Sequence, residues 1–406
     1  MHMRRLGVAT MTGWLLLAGS AGSVTVETPQ PSYEQRVPEY ARRVPQESPA
    51  SAAFRAGVQA LVANDLKKAE AEFQRAAKLD ARIPEPLLGL ADVALRQGRA
   101  KDALRFLQQA QSVAPTSPAV HLGLGRYYRS QGDRAAAEKS LQRALQTDAP
   151  AAPVHIELGD LYLEGGRAAE AVVQFQQALK ANPNSAQAQY GLGVALAGAG
   201  KPREAAAALE AAARLAPRDP APLQALARLS SEQKRYDAAL QSIDAAIALA
   251  PKSSQLQLDR GDILAMKGDL RGAEQAYRAA IERDASNATA LNNVAWLLAD
   301  RKANLDEALS FARRAAELQP RNAGFADTLG WVYRARGQVA EAARAFEAAI
   351  ALAPTLPDPH YHLGLVHMDA GRRTEALASL QQAIKLGLAE PQAADARKRV
   401  QALSGR

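Results

Sequence analysis

Three histidines fall close together near the carboxyl end of the chain, His360, His362 and His367, and three imidazoles are enough to hold a zinc or nickel ion. His360 and His367 stand seven residues apart, which puts both on one face of a helix and turns His362 elsewhere. His121 and His155 occupy the position of His360 in earlier copies of a repeating pattern, so that position reads as a packing site. Ala195 to Lys201 has the look of a phosphate loop through Gly198, Gly200 and Lys201. Its first Gly is missing, however, Pro202 stands where a hydroxyl would meet magnesium, and no strand precedes it. There is no H-E-x-x-H, no G-x-S-x-G and no isolated carboxylate pair in an evident cleft. Cysteine is absent, which removes disulfides, thiolate metal sites and thiol nucleophiles. No catalytic residue, metal ligand or cofactor is assigned, and the chain reads as a non-enzyme.

Residues suited to recognition are easier to find. Beyond Trp14 the only tryptophans are Trp296 and Trp331, at equivalent positions in adjacent copies of the pattern, with Asn292, Asn293, Asp327, Arg334, Tyr361 and His362 on the same stretch of surface. Tryptophan and Tyr supply large rigid contact area and Arg supplies bidentate bonds, the chemistry of binding hot spots. Packing of both indoles against neighbouring helices is the competing reading.

A repeat of 34 residues positions these side chains. Ala69, Ala103, Ala137, Ala171, Ala205, Ala239, Ala273, Ala308, Ala342 and Ala376 advance by 34 each time, with one step of 35. A second alanine column follows seven residues later, from Ala76 to Ala383, and a Gly or Ala column runs from Gly57 through Gly125, Gly159 and Gly330 to Gly364. Antiparallel helices approach closely only where small side chains meet, and large residues such as Phe73, Leu141, Phe175, Tyr277 and Phe346 fill the spaces between. Each unit reads as a helix, a short turn with Gly such as Gly132, Gly166 or Gly268, and a second helix ending at a Pro. An extra residue between Leu298 and Ala308 predicts a longer turn around Asp300–Asp306. Glu138, Glu170, Glu204, Glu274, Glu341 and Glu375 sit beside the alanine columns, as expected for charge pairing along a helix face.

Composition agrees with an all-helical chain of 406 residues, 48% apolar but only 5% aromatic. The formal charge is +8, yet Arg and Lys are spread beside Asp and Glu without a clustered basic footprint, so no nucleic-acid partner is expected. Nor is a small-molecule substrate evident. At the amino terminus Arg4 and Arg5 precede an apolar stretch through Leu17 and then small residues, the layout of a secretory signal over residues 1–22. Leu15 to Ser20 resembles a bacterial lipoprotein signal with Ser20 at the Cys position, where no thioether can form. A cleaved signal is expected, and an uncleaved anchor giving membrane association is the alternative. Pro29, Pro31, Pro38, Pro45 and Pro49 mark residues 23–49 as a semi-rigid linker.

The columns resemble those of the tetratricopeptide repeat family, with Leu329-Gly330, Tyr333, Ala342, Phe346, Ala349 and Pro354 showing the pattern most fully. Residues 50–390 divide into ten repeats, 50–83, 84–117, 118–151, 152–185, 186–219, 220–253, 254–287, 288–322, 323–356 and 357–390, and residues 391–406 remain as a capping helix. The resemblance implies an all-α solenoid of about ten helix-turn-helix repeats in a right-handed superhelix. Its first helices would line a groove that binds other proteins. Members that hold a chaperone's terminal carboxylate use a Lys and an Asn one turn apart, and Leu88, Leu122, Ile156 and Leu258 stand in the way of that role. Repeats eight to ten are similar to those of exported bacterial envelope proteins serving exopolysaccharide export, protein sorting or pilus assembly. The expectation is a periplasmic scaffold in such an assembly, or else a membrane-anchored accessory subunit of an envelope enzyme complex.

Overall fold

A computed structural model describes residues 48–146 and 151–405, so the signal and residues 23–47 of the linker lie outside the described residues. Among the described residues there are 21 helices and no strand. The chain divides into two compact units between Leu226 and Ala227.

Up to the division run α1 (Pro49–Val62), α2 (Leu66–Leu79), α3 (Glu85–Arg96), α4 (Ala100–Val113), α5 (Pro118–Ser130), α6 (Arg134–Leu145), α7 (Ala151–Glu164), α8 (Ala168–Ala181), α9 (Ala186–Gly198) and α10 (Pro202–Leu215). The division falls within α11 (Ala221–Glu232). After it come α12 (Tyr236–Leu249), α13 (Ser254–Lys267), α14 (Leu270–Arg283), α15 (Ala288–Asp300), α16 (Leu305–Leu318), α17 (Ala323–Ala335), α18 (Val339–Leu352), α19 (Pro357–Asp369), α20 (Arg373–Lys385) and the terminal α21 (Gln392–Ser404). Odd-numbered helices are the first of each pair. Pro49 belongs to α1, not to the linker as its composition implied, because Ser48 caps that helix through its hydroxyl and Pro fits the first helical turn.

Away from α11, each second helix packs on its own first helix and on the first helix that follows, as α8 does on α7 and α9, and α18 on α17 and α19. First helices also touch one another, α1 to α3, α3 to α5, α5 to α7 and α7 to α9 in one unit, α15 to α17 and α17 to α19 in the other. They make a continuous face from α1 to α9 in one unit and from α15 to α19 in the other.

The alanine columns explain this closeness. All twenty alanines, from Ala69 to Ala376 and from Ala76 to Ala383, are completely buried. Where the third column holds Gly, the missing side chain makes room for a large residue of the second helix. A β-carbon at Gly159 would stand 2.7 Å from the Phe175 ring, one at Gly330 2.7 Å from Phe346, and one at Gly125 2.6 Å from Leu141. Such distances are far inside van der Waals contact.

Short turns join the helices of a pair, and every one passes through a left-handed residue one period apart: Asn64, Gly98, Gly132, Gly166, Gly200, Lys234, Gly268, Lys302, Gly337 and Gly371. The next amide then reaches back five residues, as Asp133 does to the Tyr128 carbonyl at 3.0 Å and Arg235 to Ser230 at 2.9 Å, which satisfies the open end of the first helix. The turn between α15 and α16, residues 301–304, has one residue more than the turn at 131–133, and Asn304 joins Lys302 in the left-handed region. At Lys234, with φ of 58°, the side chain costs about 1–2 kcal/mol in that conformation, partly offset by the extra backbone entropy a Gly would lose. Lys234→Gly is expected to stabilise residues 227–405 by about 0.5–1 kcal/mol, read as a higher chemical-denaturation midpoint.

The recurring histidine column also acquires a role. His121 Nε2 donates to the Pro115 carbonyl at 2.9 Å and His360 Nε2 to the Pro354 carbonyl at 3.1 Å. Each pins the Pro that ends the preceding repeat, whose carbonyl has no further helical turn to donate to it.

Candidate functional site

The first helices of repeats seven to ten, α13, α15, α17 and α19, carry the residues with the most recognition chemistry. An α-helix offers one stripe to its neighbours, and side chains at the margin of that stripe stay part-open to solvent. Asn292, Trp296, Trp331 and Arg334 occupy this margin and are half-buried. Asn293, Asp327, Tyr361 and His362 lie beneath them and are buried. The eight candidates are therefore layered: four form a surface and four support it.

The lower layer is tied across repeats. His362, 4% exposed, directs Nδ1 to both carboxylate oxygens of Asp327, itself 2% exposed, at 2.9 and 3.0 Å. Burial works against a charge on His362, but the Asp327 carboxylate outweighs it and holds the imidazole pKa above its ordinary value. Three aromatic rings surround the imidazole: Trp331 at 4.9 Å, Phe346 at 5.4 Å and Tyr361 at 5.6 Å between centroids. Tyr361 donates its hydroxyl to Asp395 of α21 at 2.7 Å, and burial raises its pKa. Asn293 reaches back to Asp262 of α13 at 3.5 Å, where Tyr277 also donates its hydroxyl at 2.7 Å.

The upper layer is partly open. Arg334 stacks over the Trp331 ring at 5.2 Å and pairs with Asp369 at 2.7 Å. Two atoms here are buried without a hydrogen-bond partner, the Trp331 indole nitrogen and Asn292 Oδ1. Sequence patterning overlooked Asp262 and Asp358, which are half-buried on the same helices. Burial raises both carboxyl groups above the usual range, Asp262 well above it. An isolated Asp on a helix reads as a solvated residue, so nothing in the pattern set these two apart.

The three clustered histidines do not converge. His360 holds Pro354, His362 holds Asp327, and the His367 ring is buried with its Nδ1 unpartnered. Among the described residues no group of three His, Cys, Asp or Glu side chains is placed to hold a metal ion. The phosphate-loop-like stretch is the last turn of α9, to Gly198, and the turn through left-handed Gly200 that leads to α10. A shallow cleft of about 560 Å³ lies against α20 and α21, lined by Ile384, Arg397, Val400, Gln401 and Ser404, with neither carboxylate nor imidazole among these residues.

In the unit ending at Leu226 the first-helix face is self-paired between α5 and α7. Arg126 and Arg129 of α5 meet Glu157 of α7 at 2.6 and 2.7 Å, and Arg129 also meets Glu164 at 2.8 Å. Asp160, 3.6 Å from the shared Arg129, is pushed up to about 7 by burial, with Glu157 and Glu164 adding to the shift.

Comparison with known proteins agrees with this architecture. A tetratricopeptide repeat model matches residues 156–220, 223–286, 258–323 and 361–399, just over half of the chain. A second matches 82–149, and a TPR repeat model matches 330–371. A TPR repeat-containing protein of Pseudomonas aeruginosa is 29% identical over 124 residues, which are 30% of this chain and 21% of that protein. The match thus spans about a fifth of the relative's length. Among solved structures, a tetratricopeptide repeat protein from Parabacteroides merdae has 18% identity and a TM-score of 0.49, covering 63% of this chain and all of that one. The APC/C hetero-tetramer Cut9-Hcn1 contributes a chain with 13% identity and a TM-score of 0.47, covering 91% and 99%.

Proposed function

Because the chain belongs to the tetratricopeptide repeat family, whose members bind other proteins, we propose that it is a non-catalytic scaffold acting in a bacterial cell-envelope assembly. It would reach the periplasm through the signal-like segment at residues 1–22 and take part in polysaccharide export, secretion or pilus biogenesis. The observation that carries the scaffold reading is the layered first-helix face of α15, α17 and α19. Half-buried Trp296 and Trp331 are backed by side chains already fixed to one another, so a partner meets large apolar area at little further ordering cost. The envelope setting rests on the signal layout and on the likeness of repeats eight to ten to exported envelope proteins. Among the described residues no helix is long and apolar enough to cross a membrane.

The scaffold reading is tested by recovering partners from the host envelope with the wild type and with Trp296→Ala plus Trp331→Ala. Two hot-spot truncations remove about 2–4 kcal/mol, so specific partner recovery is expected to fall at least about tenfold. Equal recovery by a normally folded variant would remove the proposed face. Mass spectrometry of the mature amino terminus tests export, since a chain still beginning at Met1 would contradict a cleaved signal.

A further inference from the structure

We propose that the first-helix face of α13, α15, α17 and α19 recognises a basic, extended protein segment, laid across Trp296 and Trp331 with Arg or Lys side chains against Asp262 and Asp358. The proposal rests on the scaffold reading and names the chemistry of its partner. Charge carries it. The chain as a whole has a formal charge of +8, yet these four helices hold six carboxylates against only three Lys or Arg, namely Arg260, Lys267 and Arg334. All three cations are engaged internally, with Asp244 at 2.7 Å, Asp237 at 2.6 Å and Asp369 at 2.7 Å. His362 answers Asp327. Asp262 is met by the Tyr277 hydroxyl and the Asn293 amide, and no Lys or Arg bears on it or on Asp358.

Asp262 has no cation and Asp358 only a share of His362, whose hydrogen bonds go to Asp327, and a half-buried carboxylate so placed favours any ligand that brings a cation of its own. The same face offers rings for the stems and faces of Lys and Arg side chains. Arg334 over Trp331 shows that this pairing already occurs within the molecule. The corresponding face of α5 and α7 shows the contrast, because there Arg126 and Arg129 meet Glu157 directly.

The test uses the full chain and three synthetic decapeptides that Pro keeps extended: alternating Arg and Pro, alternating Ala and Pro, and alternating Glu and Pro, titrated by calorimetry. The Arg peptide is expected to bind at least about tenfold more tightly than the Ala peptide at low salt and to lose that advantage at high salt. The Glu peptide should bind most weakly. Asp262→Asn plus Asp358→Asn should bring the Arg peptide to the Ala level, and Trp296→Ala plus Trp331→Ala should remove both, with helical circular dichroism unchanged in each variant. Equal binding of the Arg and Ala peptides, abolished by the Trp variant, overturns the charge assignment while leaving the face as a scaffold site. Arg-peptide binding that ignores the two Asp→Asn changes overturns the proposal by placing the peptide elsewhere. Failure of all three peptides to bind counts against both readings.

Discussion

Asp327→Ala is expected to lower the unfolding free energy of residues 227–405 by about 3–5 kcal/mol, because it strands a buried imidazole whose only hydrogen-bonded counter-charge is that carboxylate. The charged groups bearing on His362 are Asp327 and Arg334 from α17 and Asp358 from its own helix, while α18 presents the Phe346 ring. The pair also makes stability depend on pH in a defined direction. With the folded pKa of His362 above its unfolded value near 6.5, the contribution is complete at lower pH and is lost as pH rises through the folded value. Asp327→Ala removes that slope as well as the free energy, and His362→Gln removes the slope at a smaller cost, because the Gln amide can still donate to the buried Asp327 carboxylate. Urea midpoints measured from about pH 5.5 to 9 distinguish these outcomes. A wild-type profile matching that of His362→Gln would mean that His362 carries no buried charge. Asp327→Leu with His362→Phe is expected to recover much of the loss, since apolar replacement of a whole buried pair is often nearly neutral.

The second large effect lies in the other unit. Phe175→Ala is expected to cost about 3–5 kcal/mol for the residues up to Leu226. The ring is fully buried and sits between Gly159 of its own repeat and Gly191 of the next, each too close to carry a side chain. Backbone therefore walls the vacated space on two sides, and helices cannot collapse into it as flexible side chains would. A guanidine midpoint shifted by less than about 1 kcal/mol equivalent would mean that the helix pairs close over the gap. Far-UV circular dichroism on the same samples separates local repacking from loss of a repeat.

How far these features were legible in the sequence differs by mechanism. The alanine columns were readable because a close helix crossing admits only small residues, and all twenty prove fully buried. The turns were legible where Gly marks them. At Lys234 and Lys302 the surrounding helices impose the same left-handed geometry on residues that do not advertise it, whereas Asn64 is of the non-Gly type that adopts it most readily. Periodicity assigned the recognition residues to one side of the first helices but could not give depth. Asp327 and His362 come one residue apart in register and bury each other, while Trp296 and Trp331 remain at the margin. The glutamates beside the alanine columns reach further than a single helix face. Glu138 takes Arg167 at 2.9 Å and the Tyr162 hydroxyl at 2.8 Å, both from the next repeat, and Glu307 takes Arg278 at 2.6 Å from the preceding one. Contacts between residues some 29 positions apart are invisible to a reading within one helix.

Tyr361 and His362 are neighbours in sequence that grip opposite neighbours in space, one holding α21 through Asp395 and the other holding α17 through Asp327. Most joints in the chain rest on alanine, glycine and leucine, with part-exposed ion pairs such as Glu138–Arg167 and Arg278–Glu307 at their edges, contacts that cost little to lose when a repeat is duplicated or removed. The joints on either side of α19 are keyed more deeply, one to the buried Asp327–His362 pair and the other to the Tyr361–Asp395 bond. Lengthening or shortening by whole repeats should therefore be tolerated before α17 far better than after it, which fixes the last two repeats and their terminal helix as one heritable block.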